Sequence, residues 1–94
     1  MGLNRVRVIL GHLARTSADP VPAAAVPLIQ DLLWAHARPS DGLEHVRVRP
    51  APQGLDIYLF VTAPSDATAM AQAATLLHRV DPQVARHGFG VDHP

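Results

Sequence analysis

Arginine, histidine and aromatic residues recur at every second position in three short segments of this sequence. They are Arg5, Arg7, His45, Arg47, Arg49, Tyr58 and Phe60. In an extended strand, residues at every second position share one face. Guanidinium groups bind carboxylates and phosphates, and aromatic rings pack on proteins or stack on bases. The spacing therefore predicts a binding surface for a protein, for a second copy of this chain or for a nucleic acid.

The segments that hold these residues alternate between apolar and polar side chains, which is typical of strands. Strands are predicted over residues 3–10, 43–49 and 55–62, and a proline- and glycine-containing turn joins the last two as a hairpin.

Two helices are predicted between the strands. The first runs from about residue 26 to residue 38, with Pro27 tolerated in its first turn. The second follows Ser65, a favoured N-cap residue, and is predicted to end near Val80 because Pro82 follows. The tail, residues 83–94, is expected to be flexible or to add a short edge strand over about residues 86–91.

The order strand, helix, strand, strand, helix, short strand predicts an α+β fold of the ferredoxin-like, split β-α-β type. Such a fold has one antiparallel sheet with two helices on one face. The 94 residues form a single domain, 1–94. A chain this short buries only roughly 60–65% of its unfolded surface, so a second copy that covers more of it would stabilise the fold.

The two faces of the sheet are expected to differ. The face toward the helices is predicted to hold Val6, Val8, Leu10, Val46, Val48, Leu55, Ile57, Leu59 and Val61. The uncovered face is predicted to hold the arginine, histidine and aromatic set, together with Ile9 and Asp56. This face could be a solvated surface, a homodimer interface, a single-stranded RNA site or a site for a small anion. The RNA interpretation lacks the glycine-spaced aromatic motif of RNA-recognition domains.

Each helix has one apolar stripe. The stripes are Leu28, Ile29, Leu32 and Leu33 with His36 at their middle, and Ala69, Met70, Ala73, Leu77 and Val80. Trp34 lies nearly opposite the first stripe, and it either folds over the helix edge or anchors a partner protein. His36 is expected to be a histidine at the edge of the core or, in an enzyme, to line a pocket between helix and sheet.

No catalytic or metal-binding motif is present. Cysteine is absent, and the histidines lack metal-ligand spacing, although His87, Asp92 and His93 lie close together in the tail. No catalytic residue, metal or cofactor is therefore predicted. The enzyme alternative is a small-ligand-binding or cofactor-free cyclase-like protein of the dimeric α+β barrel type. Its candidate residues would be His12, His36 and Tyr58.

The composition argues against a histone-like protein and against a membrane-spanning helix. Eight arginines balance eight acidic residues, and a formal net charge of zero argues against a histone-like protein. No apolar run approaches the roughly 20 residues of a membrane helix. Lysine is absent, a bias typical of GC-rich bacterial genomes. The sequence predicts a cytoplasmic, non-catalytic module that forms a homodimer and binds a partner protein, using the uncovered face and Trp34.

Overall fold

The computed structural model describes residues 3–92, and this part of the chain contains four strands and two helices. They are β1 (Arg5–Arg15), α1 (Ala25–His36), β2 (Leu43–Ala51), β3 (Gly54–Ala63), α2 (Asp66–Ala85) and β4 (Phe89–Val91), with a 3₁₀ turn at Pro39–Asp41. All six elements are those that the sequence predicts. Their ends differ most in β1 and α2, each of which ends five residues later than predicted, while β4 is three residues shorter.

The strands form one antiparallel sheet in the order β2-β3-β1-β4. β1 pairs with β3 from Arg5 to Ala14, whereas β4 pairs with β1 only over Leu13–Arg15. Both helices pack on the same side of the sheet, with which they share one hydrophobic core. The fold is therefore the α+β, ferredoxin-like arrangement that the sequence predicts.

The second helix begins where predicted and ends later. The Ser65 hydroxyl accepts a hydrogen bond from the Thr68 backbone N–H at 3.1 Å and caps the first turn. The helix continues through Pro82 to Ala85, so the prediction that Pro82 ends it is wrong. A proline removes one hydrogen bond of the helix, but Val84 beyond it is fully buried, and its packing favours continuing the helix.

The core lies between the helices and one face of the sheet. Its largest fully buried side chains are Leu13, Ile29, Leu33, Leu55, Ile57, Leu59, Val61, Leu76, Val80, Val84 and Phe89. The predicted stripe of the second helix needs one correction. Met70 was expected to be buried but is 60% exposed, whereas Leu76 was not expected and is buried. The buried stripe of α2 is thus turned toward Leu76 and away from Met70.

The two faces of β1 are exchanged relative to the prediction. The face that was predicted to be uncovered is the one that packs against the helices. The pairing of β1 with β3 sets Gly11 beside Ile57 and Leu13 beside Leu55, and both of these β3 residues are fully buried under the helices. A Cβ atom added to Gly11 would lie 3.2 Å from Leu77 Cδ1, so glycine gives α2 room to approach the strand.

The prediction for the remaining β1 residues is therefore wrong. Ile9 packs against the core, while Val6, Val8 and Leu10 lie on the side without helices. The error has a simple physical origin. Alternation fixes which residues share a face, but it does not decide which of the two faces is buried, and a shift of one position exchanges them.

An ion pair ties the connection between α1 and β2 to α2. The Arg79 guanidinium donates to both carboxylate oxygens of Asp41, at 2.6 and 3.2 Å, and the Arg38 backbone N–H donates to the same carboxylate at 2.7 Å. Burial by itself raises the pKa of Asp41, but the hydrogen bonds from Arg79 and Arg38 outweigh it and leave this pKa below its ordinary value. The charged carboxylate thus fixes the start of β2.

Candidate functional site

The side of the sheet away from the helices is called the open face below. It is formed by alternate residues of three strands, which are Val6, Val8, Leu10 and His12 of β1, His45, Arg47 and Arg49 of β2, and Asp56, Tyr58, Phe60 and Thr62 of β3. The two antiparallel ladders align these residues in rows across the sheet. The rows are His45-Phe60-Val8, Arg47-Tyr58-Leu10 and Arg49-Asp56-His12.

The β1 part of the open face is apolar and exposed to solvent. Val6, Val8 and Leu10 expose 57%, 55% and 64% of their surface. They stand at every second position of β1, so their side chains follow one another on the same face of the sheet. They therefore form a continuous stripe, not scattered exposed residues. A contiguous stripe of large apolar side chains is typical of an interaction surface, whereas single exposed apolar residues need no explanation.

The aromatic residues of β3 extend this stripe toward β2. Tyr58 and Phe60 are half-buried and lie across the ladder from Leu10 and Val8. The His45 and Phe60 rings pack at a centroid distance of 5.2 Å with an angle of 59° between their planes. The open face is therefore apolar through its two central strands, β1 and β3.

Positive charge lies on the β2 side of the open face. Two arginine–carboxylate ion pairs form within residues 3–92, Arg7–Asp66 and Arg79–Asp41, and neither Arg47 nor Arg49 forms one. The two arginines and the rings of Tyr58 and Phe60 line a shallow cavity of about 170 Å³. Asp56 lies across the ladder from Arg49 but forms no ion pair with it, so both guanidinium groups can bind an anionic group from outside the chain.

Negative charge lies on the opposite side, toward β4. Asp56 Oδ1 is 3.0 Å from His12 Nδ1, and these two residues line a cavity of about 320 Å³ with Asp92, Leu10 and Gly11. Asp92 follows β4, and its backbone N–H donates to the His12 carbonyl at 3.0 Å, which holds it beside the sheet. The open face thus carries arginines at its β2 edge and Asp92 near β4, with apolar residues at the centre of the rows of Val8 and Leu10 and Asp56 at the centre of the third row.

Two of the arginines predicted for the open face are not there. Arg5 and Arg7 share the alternation of Ile9, which belongs to the helix side. Arg7 instead holds the end of β3 to the start of α2, since its guanidinium donates to Asp66 at 2.6 Å and to the Ala63 carbonyl at 3.2 Å. The placement of Arg5 and Arg7 on the binding face is corrected accordingly, for the same reason as that of the β1 valines.

The five residues predicted for the open face on β2 and β3 do lie there. His45, Arg47, Arg49, Tyr58 and Phe60 all lie on the open face. The two helix residues lie elsewhere, as described next, so the structure joins five of the predicted residues in one surface.

Trp34 and His36 lie on α1, in the layer behind the sheet. Trp34 is 46% exposed and does not reach the open face. His36 is partly buried, and its backbone carbonyl accepts a hydrogen bond from Arg79 at 2.8 Å. Ile29 and Leu33 fill the space between α1 and the sheet, so the pocket expected by the enzyme alternative is occupied by core side chains.

Sequence reasoning missed Val6, Val8 and Leu10 as surface residues. A signal for them exists in the same strand, because Leu13 and Gly11 share an alternation, and a glycine in a strand often marks a close approach of another element. In this structure the approaching element is α2, so Gly11 and Leu13 mark the covered face.

No protein-family model, curated protein or solved structure matches this chain. Within residues 3–92, no helix has the length and apolar character needed to cross a membrane. In the same range no group of three histidine, cysteine or acidic residues is placed to hold a metal ion, and His93, which the sequence groups with His87 and Asp92, lies outside the described residues. The function is therefore argued from the geometry of the open face.

Proposed function

We propose that this protein is a non-catalytic module that forms a homodimer through its open face. The exposed apolar stripe of Val6, Val8 and Leu10, continued by the rings of Tyr58 and Phe60, is the observation that supports this proposal. Burying such side chains contributes about 25 cal/mol for each Å² removed from water, and a small domain has little other apolar surface with which to gain stability.

The charges of the open face favour one orientation of the second copy. A two-fold axis across the strands would set the β2 arginines of one copy over the same arginines of the other. A two-fold axis along the strands instead sets the β2 edge of each copy over the β4 side of its partner. Arg49 then faces the row that holds His12 and Asp92, and opposite charges meet at both rims of the interface.

Two observations favour a second copy over the alternatives. Single-stranded RNA binding needs phosphate contacts across the surface, but Arg5 and Arg7 are absent from the open face, and apolar β1 side chains stand beside the rings. The cyclase-like alternative depended on a pocket at His36, where the core is filled. Trp34 is exposed on the other layer and remains free in this dimer to contact a partner protein.

The mass of the protein in solution tests the proposal. Sedimentation equilibrium of the parent chain should show the 10.1 kDa monomer in exchange with a dimer or a larger assembly. Phe60→Asp and Val8→Asp should each raise the dissociation constant about thirtyfold or more, because loss of a central interface residue costs about 2 kcal/mol or more. Ala35→Asp adds the same charge on the exposed surface of α1 and should leave the mass unchanged.

A parent protein that stays monomeric at every concentration would contradict the homodimer. An association that neither open-face substitution weakens would also contradict the proposal, because the copies would then meet only elsewhere. Circular dichroism of each variant separates loss of association from loss of folding.

A further inference from the structure

The two outer edges of the sheet differ in how well they are protected from pairing with a strand of another chain. The edge formed by β2 carries a bulge between Leu43 and His45, the charged residues Arg47 and Arg49, and Pro50 near its end. Bulges, charges and proline are the features that keep edge strands from pairing with other chains. This edge is therefore guarded against the addition of a further strand.

The edge formed by β1 has none of these features along most of its length. β4 covers only Leu13–Arg15, so among residues 3–92 the segment from Val6 to Gly11 pairs with a strand on one side alone. This segment contains no bulge and no proline, and the residues from Val8 to Gly11 are uncharged. An uncovered apolar edge of this kind is a site of strand addition.

The hydrogen-bonding groups on this edge can be assigned from the neighbouring contacts. The His12 carbonyl accepts from Asp92, and the Thr16 backbone N–H donates to Gly88, so the even-numbered residues point their backbone groups outward. In an antiparallel ladder alternate residues direct both groups to the same neighbour. The N–H and C=O groups of Val6, Val8 and Leu10 therefore face the free edge.

An apolar groove runs beside this edge, between β1 and α2. It has a volume of about 280 Å³, and its walls include Ile9, Gly11, Met70, Ala74 and Leu77. Met70, which the sequence places in the core, is exposed here. The groove gives an added strand apolar contacts on the helix side while the edge supplies backbone hydrogen bonds.

We propose that the free edge of β1 pairs antiparallel with β1 of a second copy, so that two sheets join into one. A two-fold axis near Val8 makes the pairing self-complementary, since it sets Val6 opposite Leu10 of the partner, and it brings the Met70 side of α2 toward the same side of the partner helix. The axis also sets the end that carries the exposed Arg5 against the end of the partner that carries Asp81. This charge match favours a second copy over an unrelated peptide.

This interface is separate from the one on the open face. The open-face dimer uses side chains of Tyr58 and Phe60, whereas the edge pairing uses the backbone of β1 and the side chain of Met70. A protein that uses both surfaces would form assemblies larger than a dimer, since each copy would then contact two others. The two surfaces can be disabled one at a time.

Amide hydrogen exchange, measured by NMR over a range of protein concentrations, tests the edge pairing. The amides of Val6, Val8 and Leu10 should exchange about tenfold more slowly, or slower still, at high concentration, because each gains a hydrogen bond. The amides of Arg7 and Ile9 already bond to β3 and should not change with concentration. The same pattern is expected in Phe60→Asp, in which the open face is disabled.

Met70→Asp should remove the concentration-dependent protection, whereas Thr75→Asp, on another side of α2, should leave it intact. Equal, fast exchange of the three outward amides at every concentration would overturn the edge pairing. Protection that disappears in Phe60→Asp would assign it to the open face and would likewise overturn it. Protection that persists while sedimentation shows no effect of Phe60→Asp would support the edge and contradict the open-face dimer.

Discussion

The two faces of the sheet are built from similar β-strand residues, but only one of them is covered. Leu59 on the helix side is fully buried, and Leu10 on the open face, one strand away, is 64% exposed. The helices account for the burial on one side, and nothing in residues 3–92 covers the other. The difference indicates that the chain has apolar surface for two layers but supplies only one of them.

The faces also differ in how their polar groups are used. On the helix side, Asp41 and Arg79 pair with each other, and Arg7 is held by Asp66 and a backbone carbonyl. On the open face, Arg47 and Arg49 have no ion-pair partner within the described residues. The covered face is complete by itself, whereas the open face has both apolar and charged groups that a partner could satisfy.

The largest expected difference comes from the same substitution on the two faces. Leu59→Ala should lower the free energy of unfolding by about 2–5 kcal/mol, because it leaves a cavity in the core. Leu10→Ala should lower it by less than about 1 kcal/mol in dilute monomer, because the side chain is already in water. Urea unfolding curves of both variants measure these values.

Protein concentration sharpens this comparison. The effect of Leu10→Ala should grow when unfolding is measured at concentrations that populate the dimer, because dimerisation adds to the stability of the folded chain. The effect of Leu59→Ala on the folded monomer should not grow in that way. A Leu10→Ala effect that is large in dilute solution would mean that Leu10 belongs to the core.

An intermediate effect is expected from the ion pair on the covered side. Asp41→Ala removes the acceptor of the Arg38 N–H and leaves the His36 carbonyl as the remaining acceptor of Arg79, so it should destabilise the protein by about 1–3 kcal/mol. Asp41→Asn keeps one acceptor oxygen and should cost less. Thermal unfolding of the two variants beside the parent protein measures both effects.

This ion pair also makes stability depend on pH. The pKa of Asp41 is lower in the folded protein than in the unfolded chain, so its contribution is fully present above the unfolded value of about 3.9. It is lost as the pH falls through the folded pKa. Parent protein should therefore lose more stability than Asp41→Asn between about pH 5 and pH 2. Parallel curves for the two proteins would contradict this role for Asp41.

The smallest effect is expected from charges at the rim of the open face. Arg49→Asp should weaken the dimer by less than about tenfold, because rim charges contribute modestly and are screened by salt. Combining it with Asp92→Arg should restore part of the affinity if Arg49 faces Asp92 of the partner. Arg86→Asp, at the exposed end of α2, is the control. A double variant weaker than both single variants would rule out the orientation along the strands.

The sequence predicted the element order, the sheet and most of the core, because turns, caps and apolar stripes are local signals. Ser65 and Pro27 mark helix starts by chemistry that needs no tertiary context. The phase of β1 was predicted wrongly because Val6 and Val8 alternate with arginines as regularly as core residues do. Which face meets the helices depends on Gly11 and Leu13, and hence on a helix distant in sequence.

The open face was predicted only in part, because the phase of β1 was wrong. β2 and β3 have clear alternation, so the positions of Arg47, Tyr58 and Phe60 follow from the sequence alone. The positions of the apolar β1 residues on this face did not follow from the sequence, since they required the correct phase of β1. Likewise, the free edge of β1 could not be predicted, because it depends on β4 being only three residues long.

Intermolecular NMR contacts between differently labelled copies test the central claim most directly. In a mixture of methyl-labelled and unlabelled protein, the methyl groups of Val6, Val8 and Leu10 should show contacts to aromatic protons of the unlabelled copy, from Tyr58 or Phe60. The methyl groups of Leu59 should show none, because they are buried within one chain. Absence of any contact from the three β1 residues, at concentrations where sedimentation shows a dimer, would contradict the open face as the interface.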